Sequence, residues 1–267
     1  MTSSISSLAS RFEQDGFVFP IDVMPEAEAR ENRAQLEAFE VKNCDNFSAG
    51  QYLRRYPNLV LPFVDEISRR PEIIEPVAEI LGPDILVLDC PFFIKEPKTS
   101  SFVSWHQDLH YWGLEGDQEV TAWVALSPAT PESGCMRFVA GSHTRRIEHR
   151  DTFAEENLLS RGQEIAVEVD DSDATEAVLK AGQMSLHHGR VIHGSHPNIS
   201  SDRRIGIAIR YISTHVKQAP GGNMAAMLVS GEDRYGHFRH CKRPGNTMSD
   251  LAYWREITDA RNSVLMG

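Results

Sequence analysis

The segment Ser104-Trp105-His106-Gln107-Asp108-Leu109-His110-Tyr111-Trp112 sets an imidazole two residues before a carboxylate. On a β-strand, where side chains alternate, His106 and Asp108 share one face. Such a pair supplies two ligands of a two-histidine, one-carboxylate triad, which binds Fe(II) and leaves coordination positions open. The third ligand has to come from a distant strand. His193, in His193-Gly194-Ser195, is the candidate, and His187, His188 and His196 compete with it. Arg204 follows with Arg203 as its competitor. A guanidinium fork matches a carboxylate through two parallel hydrogen bonds, so an arginine beside the iron would hold a dicarboxylate. Ser195, two residues beyond His193, offers a hydroxyl to the same carboxylate.

Taken singly, these features carry little. A His-x-Asp is usually a surface pair, and a lone arginine usually faces water. The combination is specific: His-x-Asp in an aromatic strand, His-Gly-Ser beyond Gly182, then an arginine opening an alternating strand. His110, Tyr111 and Trp112 follow the aspartate and read either as residues at the mouth of the site or as packing of the next loop. His188, Arg190 and Arg210 are further candidates for substrate contact, each with a competing reading as a packing or surface residue. The Arg234-Tyr235 segment reads either as a lid or as an ordinary loop.

The elements that must position these groups follow from periodicity. Ile5, Leu8 and Phe12 predict a helix over residues 4–15, stopped by Asp15-Gly16. Phe17 to Phe19 predicts a strand, residues 25–40 a second helix, and Pro71 to Leu81 a third, ended by Gly82-Pro83. From Ile85 the texture turns to strands: 85–88, 92–94, 102–108, 119–126, 135–139, 166–169, 183–188 and 204–212. Lys95 to Ser101 reads as a polar turn, 144–163 as a loop with one helical turn, and the chain after Thr214 as aperiodic up to a short helix over 249–255. Arg204 opens the strand after that of His193, which predicts the two side by side in one sheet. Helices followed by eight or so short strands predict a mainly β (α+β) fold, a double-sheet jelly roll with helices outside one sheet. No boundary divides the chain, so one domain is expected: a helical part to about 82, a core over about 85–215 and an extension over about 216–267.

The 267 residues carry a net charge of −11, which argues against nucleic acid or an anionic membrane surface as partner. No stretch approaches the ~20 apolar residues of a membrane span, and the first residues lack a signal peptide's pattern. Cys44, Cys90, Cys135 and Cys241 form no Cys-x-x-Cys pair and read as free thiols of a cytoplasmic protein.

At these residues the chain resembles the phytanoyl-CoA dioxygenase family of Fe(II)/2-oxoglutarate oxygenases. The family's pattern stands here as Trp105-His106-Gln107-Asp108 with Tyr111-Trp112, and its Trp-containing strand as Val120 to Leu126. Its turn and Gly-Ser-His element are Glu132-Ser133-Gly134-Cys135 and Gly141-Ser142-His143. Its His-Gly-Ser pattern is His193-Gly194-Ser195 with Asn198, Ser200 and Arg204. The similarity covers about residues 8–215. It implies a double-stranded β-helix (cupin-like jelly roll) and Fe(II) on His106, Asp108 and His193. It also implies 2-oxoglutarate on Arg204 and Ser195, Trp123 lining the cosubstrate pocket, and O2 as the oxidant. Halogenases resembling the family have Ala or Gly in place of the carboxylate. Asp108 therefore implies oxygenation, most simply C–H hydroxylation of a small molecule such as an amino acid, phosphonate or natural-product intermediate. Cyclisation, desaturation or demethylation at the same iron is the competing outcome, and a non-catalytic jelly-roll binding protein is the rival class.

Overall fold

The computed structural model describes residues 7–43, 53–154, 156–159, 162–245 and 251–265. Five helices stand out: α1 (Leu8–Asp15), α2 (Glu26–Lys42), α3 (Pro62–Ser68), α4 (Pro71–Leu81) and α5 (Leu251–Leu265). Gly16 ends α1 with a φ of 82°, and its N–H reaches the Phe12 carbonyl. The strands are β1 (Phe17–Asp22), β2 (Ile85–Asp89), β3 (Phe92–Lys95), β4 (Val103–His106), β5 (Leu114–Glu115), β6 (Glu119–Ala125), β7 (Met136–Val139) and β8 (His149–Asp151). They continue with β9 (Gln163–Ile165), β10 (Ala174–Ala177), β11 (Gln183–His187), β12 (His193–Ser195), β13 (Arg204–Ser213), β14 (Lys217–Gln218), β15 (Ala225–Ser230) and β16 (Arg239–His240).

Two sheets matter for the site. The larger runs β1-β11-β6-β13-β2-β15-β16, with β3 also pairing with β13. The smaller runs β10-β7-β12-β4. Sheet facing sheet, with helices beyond the larger one, is the jelly-roll core expected from the sequence.

Strand β13 shows why the layers sort this way. Ile205, Ile207, Ile209 and Tyr211 are fully buried and join Leu36, Val64, Ile67, Ile73 and Val77 of the helices in one apolar cluster. Each such isoleucine contributes about 1.5–3 kcal/mol by leaving water. The Tyr211 hydroxyl donates to the Ser68 carbonyl at 2.8 Å, so its polar tip is satisfied on the helix side. The alternate residues are Arg204, Gly206, Ala208 and Arg210. Ala208 packs with Trp123 and Phe138 in a second cluster between the sheets. Two small residues between two arginines leave room for a cavity on that face.

Several expectations are corrected. Arg204 and His193 do not lie side by side: β12 is in the smaller sheet and β13 in the larger, so the two face each other across the interior. The strand predicted over 102–108 stops at His106, and Asp108 opens a 3-10 turn over Asp108–His110. Lys95 belongs to β3 and is fully buried, not part of a polar turn. The loop predicted over 144–163 contains β8, which pairs with β9, and the strand expected over 166–169 falls instead on Gln163–Ile165. The aperiodic C-terminal stretch holds β15, paired with β2 at the edge of the larger sheet. Its Ala225, Ala226 and Met227 are all buried, and a run covered on both faces shows no alternation. Ile5 and Cys44 lie outside the described residues.

Candidate metal centre and its cavity

His106 ends β4, and His193 opens β12, its direct partner in antiparallel register. The pairing sets the imidazole rings 4.1 Å apart between centroids. Asp108 reaches the same point from its turn, with Oδ1 3.3 Å from His106 Nε2. One ligand atom from each of His106, Asp108 and His193 lies within 4.8 Å of the others. His106 Nδ1 donates to the Ser104 carbonyl at 2.9 Å, and His193 Nδ1 to the Val191 carbonyl at 3.0 Å. A carbonyl only accepts, so both rings carry their proton on Nδ1 and turn the Nε2 lone pair inward. Histidines that hold metals are oriented in this way.

Charge at the centre suits a cation. Burial alone would push the Asp108 carboxyl up. The neighbouring His106, and then the charge of Arg210, outweigh it, and the carboxyl stays well below the usual range. Burial, and then His106 beside it, push His193 far below the ordinary histidine value, so it is neutral.

Asp108 owes its position to Gln107. The Gln107 side-chain nitrogen donates to the carbonyls of Arg145 (2.8 Å) and Arg190 (2.6 Å), and its oxygen accepts from Ile147 N–H (2.9 Å). Its backbone N–H donates to His149 Nε2 at 2.8 Å. Leu109 N–H then bonds the Gly189 carbonyl. These bonds replace the sheet ladder, which is why the strand stops while the ligand pair survives.

A cavity opens beside the triad. Its wall includes His106, Asp108, His193, Phe93, Trp123, Ser195 and Arg204. Arg204 is 1% exposed, and its Nε and Nη2 have no hydrogen-bond partner among the described residues. Its guanidinium carbon lies 5.2 Å from the Trp123 ring centre. Gly206 makes that stacking possible, since a Cβ there would run into the Trp123 ring. Burial pushes Arg204 down to about 10, so it remains charged.

Sequence reasoning passed over two groups here. Lys95, the register partner of Arg204, donates to Ser195 Oγ at 2.6 Å and to the His196 carbonyl. The available signal was its place two residues after Phe93, which puts both on the inner face of β3. His187 considered only as a rival ligand, lies outside the three-residue cluster but lines the cavity. It is 1% exposed, neither ring nitrogen has a partner, and burial pushes it down to about 4. Its cross-strand partner Thr121 also lines the cavity with an unpartnered hydroxyl.

The remaining candidates sit elsewhere. His196 contacts Arg137 and lies 3.8 Å from Asp171. Arg203 forks onto Glu40 and Glu96. None of His110, Tyr111, Trp112, His188 and Arg210 forms the cavity wall. His110 stacks on His149 at 4.4 Å and meets Tyr111 edge-on. Arg210 lies 4.7 Å over the Trp112 ring, close enough for its charge to act on Asp108. His188 lies near Glu119, Phe12 and His143, and burial pushes it down to about 4. Arg190 pairs with Asp117 at 2.9 Å. Tyr235 is exposed and stacks on His237.

Comparison with known proteins places this geometry in a family. The family described as phytanoyl-CoA dioxygenase (PhyH) matches residues 12–206. A probable alpha-ketoglutarate-dependent hypophosphite dioxygenase of Stutzerimonas stutzeri is 29% identical over 206 residues, covering 72% of this chain and 69% of that protein. The peroxisomal phytanoyl-CoA dioxygenase of Rattus norvegicus is 27% identical over 177 residues, and the match spans about half of it (52%) and 62% of this chain. Among solved structures, the apo non-haem monooxygenase ThoJ superposes with a TM-score of 0.87 at 34% identity, covering 97% of this chain and 98% of that one. Its nickel complex superposes at 0.80 and 32% identity, with the same coverage.

Proposed function

The chain belongs to the phytanoyl-CoA dioxygenase family, and from that premise we propose that it hydroxylates an unactivated C–H bond of a small molecule. It is an oxidoreductase of the 2-oxoglutarate-dependent non-haem iron class. When bound, Fe(II) would activate O2, the oxidant: one oxygen atom goes to succinate as 2-oxoglutarate loses CO2, and the other to the substrate carbon. The observation that carries the reading is a buried three-ligand cluster at one end of a cavity whose wall also holds a buried arginine, two of whose nitrogens have no hydrogen-bond partner among the described residues.

In this reading His106 and His193, through Nε2, and the Asp108 carboxylate hold the iron. Arg204 and the Ser195 hydroxyl hold the far carboxylate of 2-oxoglutarate, and Trp123 fixes the plane of the guanidinium. The chain's own task is selection of the carbon by position, because the oxidant itself discriminates little. The wall around Phe93, Val103 and Met136 keeps water from the reacting groups. His187 and Thr121 add hydrogen-bonding groups to that wall, which favours a polar substrate such as an amino acid, phosphonate or natural-product intermediate. The name of the hypophosphite dioxygenase relative agrees with a small polar substrate.

We read the chain as one catalytic unit acting on a small molecule, without nucleic acid or a membrane as partner. No described helix is long and apolar enough to cross a membrane. Cys90, Cys135 and Cys241 are free thiols, which suits the cytoplasm.

The test is a screen of small metabolites for substrate-dependent succinate release by the Fe(II)-loaded protein. Release with at least one compound, absent in Asp108→Ala, is expected. Fe(II) and 2-oxoglutarate binding without turnover across a broad panel would favour a binding protein.

A further inference from the structure

We propose that Lys95 is a positioning residue for the dicarboxylate: when the dicarboxylate binds, Lys95 becomes charged behind Arg204 and, by donating to Ser195, directs the Ser195 hydroxyl proton into the cavity. The inference rests on the functional reading above and adds a residue that reading does not use.

The register brings Lys95 opposite Arg204, and Phe93 opposite Gly206, on the inner face of the larger sheet. Lys95 is 0% exposed, which is rare for a lysine unless it is paired. Among the described residues it makes no ion pair. Its recorded partners are two oxygens of the facing sheet, Ser195 Oγ at 2.6 Å and the His196 carbonyl. Two basic side chains, Lys95 and Arg204, therefore stand in neighbouring strands, and among the described residues neither is paired with a carboxylate. Burial, and then the Arg204 charge, push Lys95 down to about 6. At neutral pH the empty site therefore holds Lys95 largely as the neutral amine, and an anion delivered beside it favours the charged form.

The donor and acceptor inventory fixes the direction of the Lys95–Ser195 bond. Once an anion beside it has drawn a proton onto Lys95, the ammonium has no lone pair and only donates, while a serine hydroxyl has one proton and two lone pairs. Lys95 therefore donates and Ser195 accepts, which leaves the Ser195 proton for another acceptor. Ser195 lines the cavity, and among the described residues its hydroxyl proton has no acceptor. Arg204 turns its own unpartnered Nε and Nη2 to the same buried region. The far end of the cavity thus presents donors, which complements a carboxylate that only accepts. An acceptor at position 95 would take the serine proton back.

The geometry also says which end of the ligand Lys95 serves. Lys95 touches neither His106, Asp108 nor His193 in any recorded contact, and it meets Ser195 on the Arg204 side. Its influence belongs to the distal carboxylate of 2-oxoglutarate and not to the end that chelates iron.

The experiment compares two 2-oxoacids on the full chain loaded with redox-silent Mn(II), by calorimetric titration. 2-Oxoglutarate has the distal carboxylate, and 2-oxobutyrate lacks it. Lys95→Met is expected to weaken 2-oxoglutarate about 10- to 100-fold, the range for losing a hydrogen bond network to a charged group, and to leave 2-oxobutyrate within about twofold. Lys95→Gln, which offers Ser195 an acceptor, is expected to weaken 2-oxoglutarate as well. Should Lys95 variants fail to fold, Ser195→Ala reads the same hydroxyl: 2-oxoglutarate weakens, 2-oxobutyrate does not, and Ser195→Thr restores binding.

Equal weakening of both 2-oxoacids would overturn the proposal and make Lys95 a structural residue. So would unchanged 2-oxoglutarate affinity in Lys95→Met, or in Ser195→Ala. If the unaltered protein bound neither 2-oxoacid, the functional reading itself would fall, a result distinct from selective retention in the variants.

Discussion

The two ends of the cavity are built on opposite principles. At the triad end, each histidine has its outer nitrogen bonded to a backbone carbonyl, and Gln107 uses its amide and its backbone N–H to hold the turn that carries Asp108. Every inward group there is a lone pair or a negative charge. At the other end stand two basic side chains, Arg204 and Lys95, and among the described residues Arg204 keeps two unpartnered nitrogens. One end is complementary to a metal cation, the other to a carboxylate. The first is assembled within the smaller sheet and the turn beyond it, the second from both sheets. Rigidity at the first end comes from satisfied backbone bonds. At the second it comes from packing, with Trp123 against Arg204 over the space left by Gly206.

That contrast yields substitutions that separate the ends. Asp108→Ala removes the only carboxylate of the triad and is expected to abolish succinate formation, at least a hundredfold below the unaltered protein, measured with Fe(II) and 2-oxoglutarate in excess. Arg204→Ala is expected to act on the other end, raising the 2-oxoglutarate requirement while retaining activity at saturation. Loss of one buried partner of a charge pair costs about 2–5 kcal/mol, or roughly thirtyfold and upward in the half-saturating concentration. Unchanged kinetics in that variant would remove Arg204 from the account.

A smaller effect is expected from Gly206→Ala. The new methyl group meets the Trp123 ring, and overpacking of this kind costs about 1–3 kcal/mol. Thermal melting should show the loss, and the 2-oxoglutarate requirement should rise as Trp123 leaves the guanidinium, with the triad's metal affinity unaffected. A fall in metal affinity instead would mean that the two ends are not separable.

The smallest effect concerns pH at the triad end. His149 accepts a hydrogen bond from Gln107 N–H and donates through Nδ1 to the Ile147 carbonyl. Burial, and then His110, push its pKa down to about 4, against about 6.5 in the unfolded chain. The folded state therefore favours the neutral ring. This contribution is fully present above about pH 6.5, and is lost as pH falls from there toward 4, because the unfolded state takes up the proton first. Denaturant titrations across that window should show stability declining, with a shallower decline in His149→Phe. An equally steep decline in the variant would assign the pH dependence to other groups.

How much of this was legible in the sequence depended on how each residue is held. The alternation of Ile205, Ile207 and Ile209 announced β13, because a strand packed on one apolar layer writes its period into the chain. His106, Asp108, His193 and Arg204 could be named from spacing and family resemblance, and the structure brings all four to one cavity. Their arrangement could not be named, since β12 and β13 are neighbours in sequence but belong to different sheets. The turn at Asp108 was hidden because the bonds that end the strand come from Arg145, Ile147, His149 and Arg190, far along the chain. Lys95 was misread as a turn residue, because a buried lysine is uncommon and its reason lies in Ser195 and Arg204. β15 escaped because Ala225 to Met227 is covered on both faces.

The central claim, that His106, Asp108 and His193 hold iron within reach of a dicarboxylate clamped by Arg204, is tested most directly by anaerobic titration of the Fe(II)-loaded protein with 2-oxoglutarate. The account predicts a weak visible charge-transfer band saturating at one 2-oxoglutarate per iron, displaced to higher concentrations in Arg204→Ala and lost in a His106→Ala, His193→Ala double variant. Absence of the band in the unaltered protein with iron and 2-oxoglutarate both in excess would contradict it.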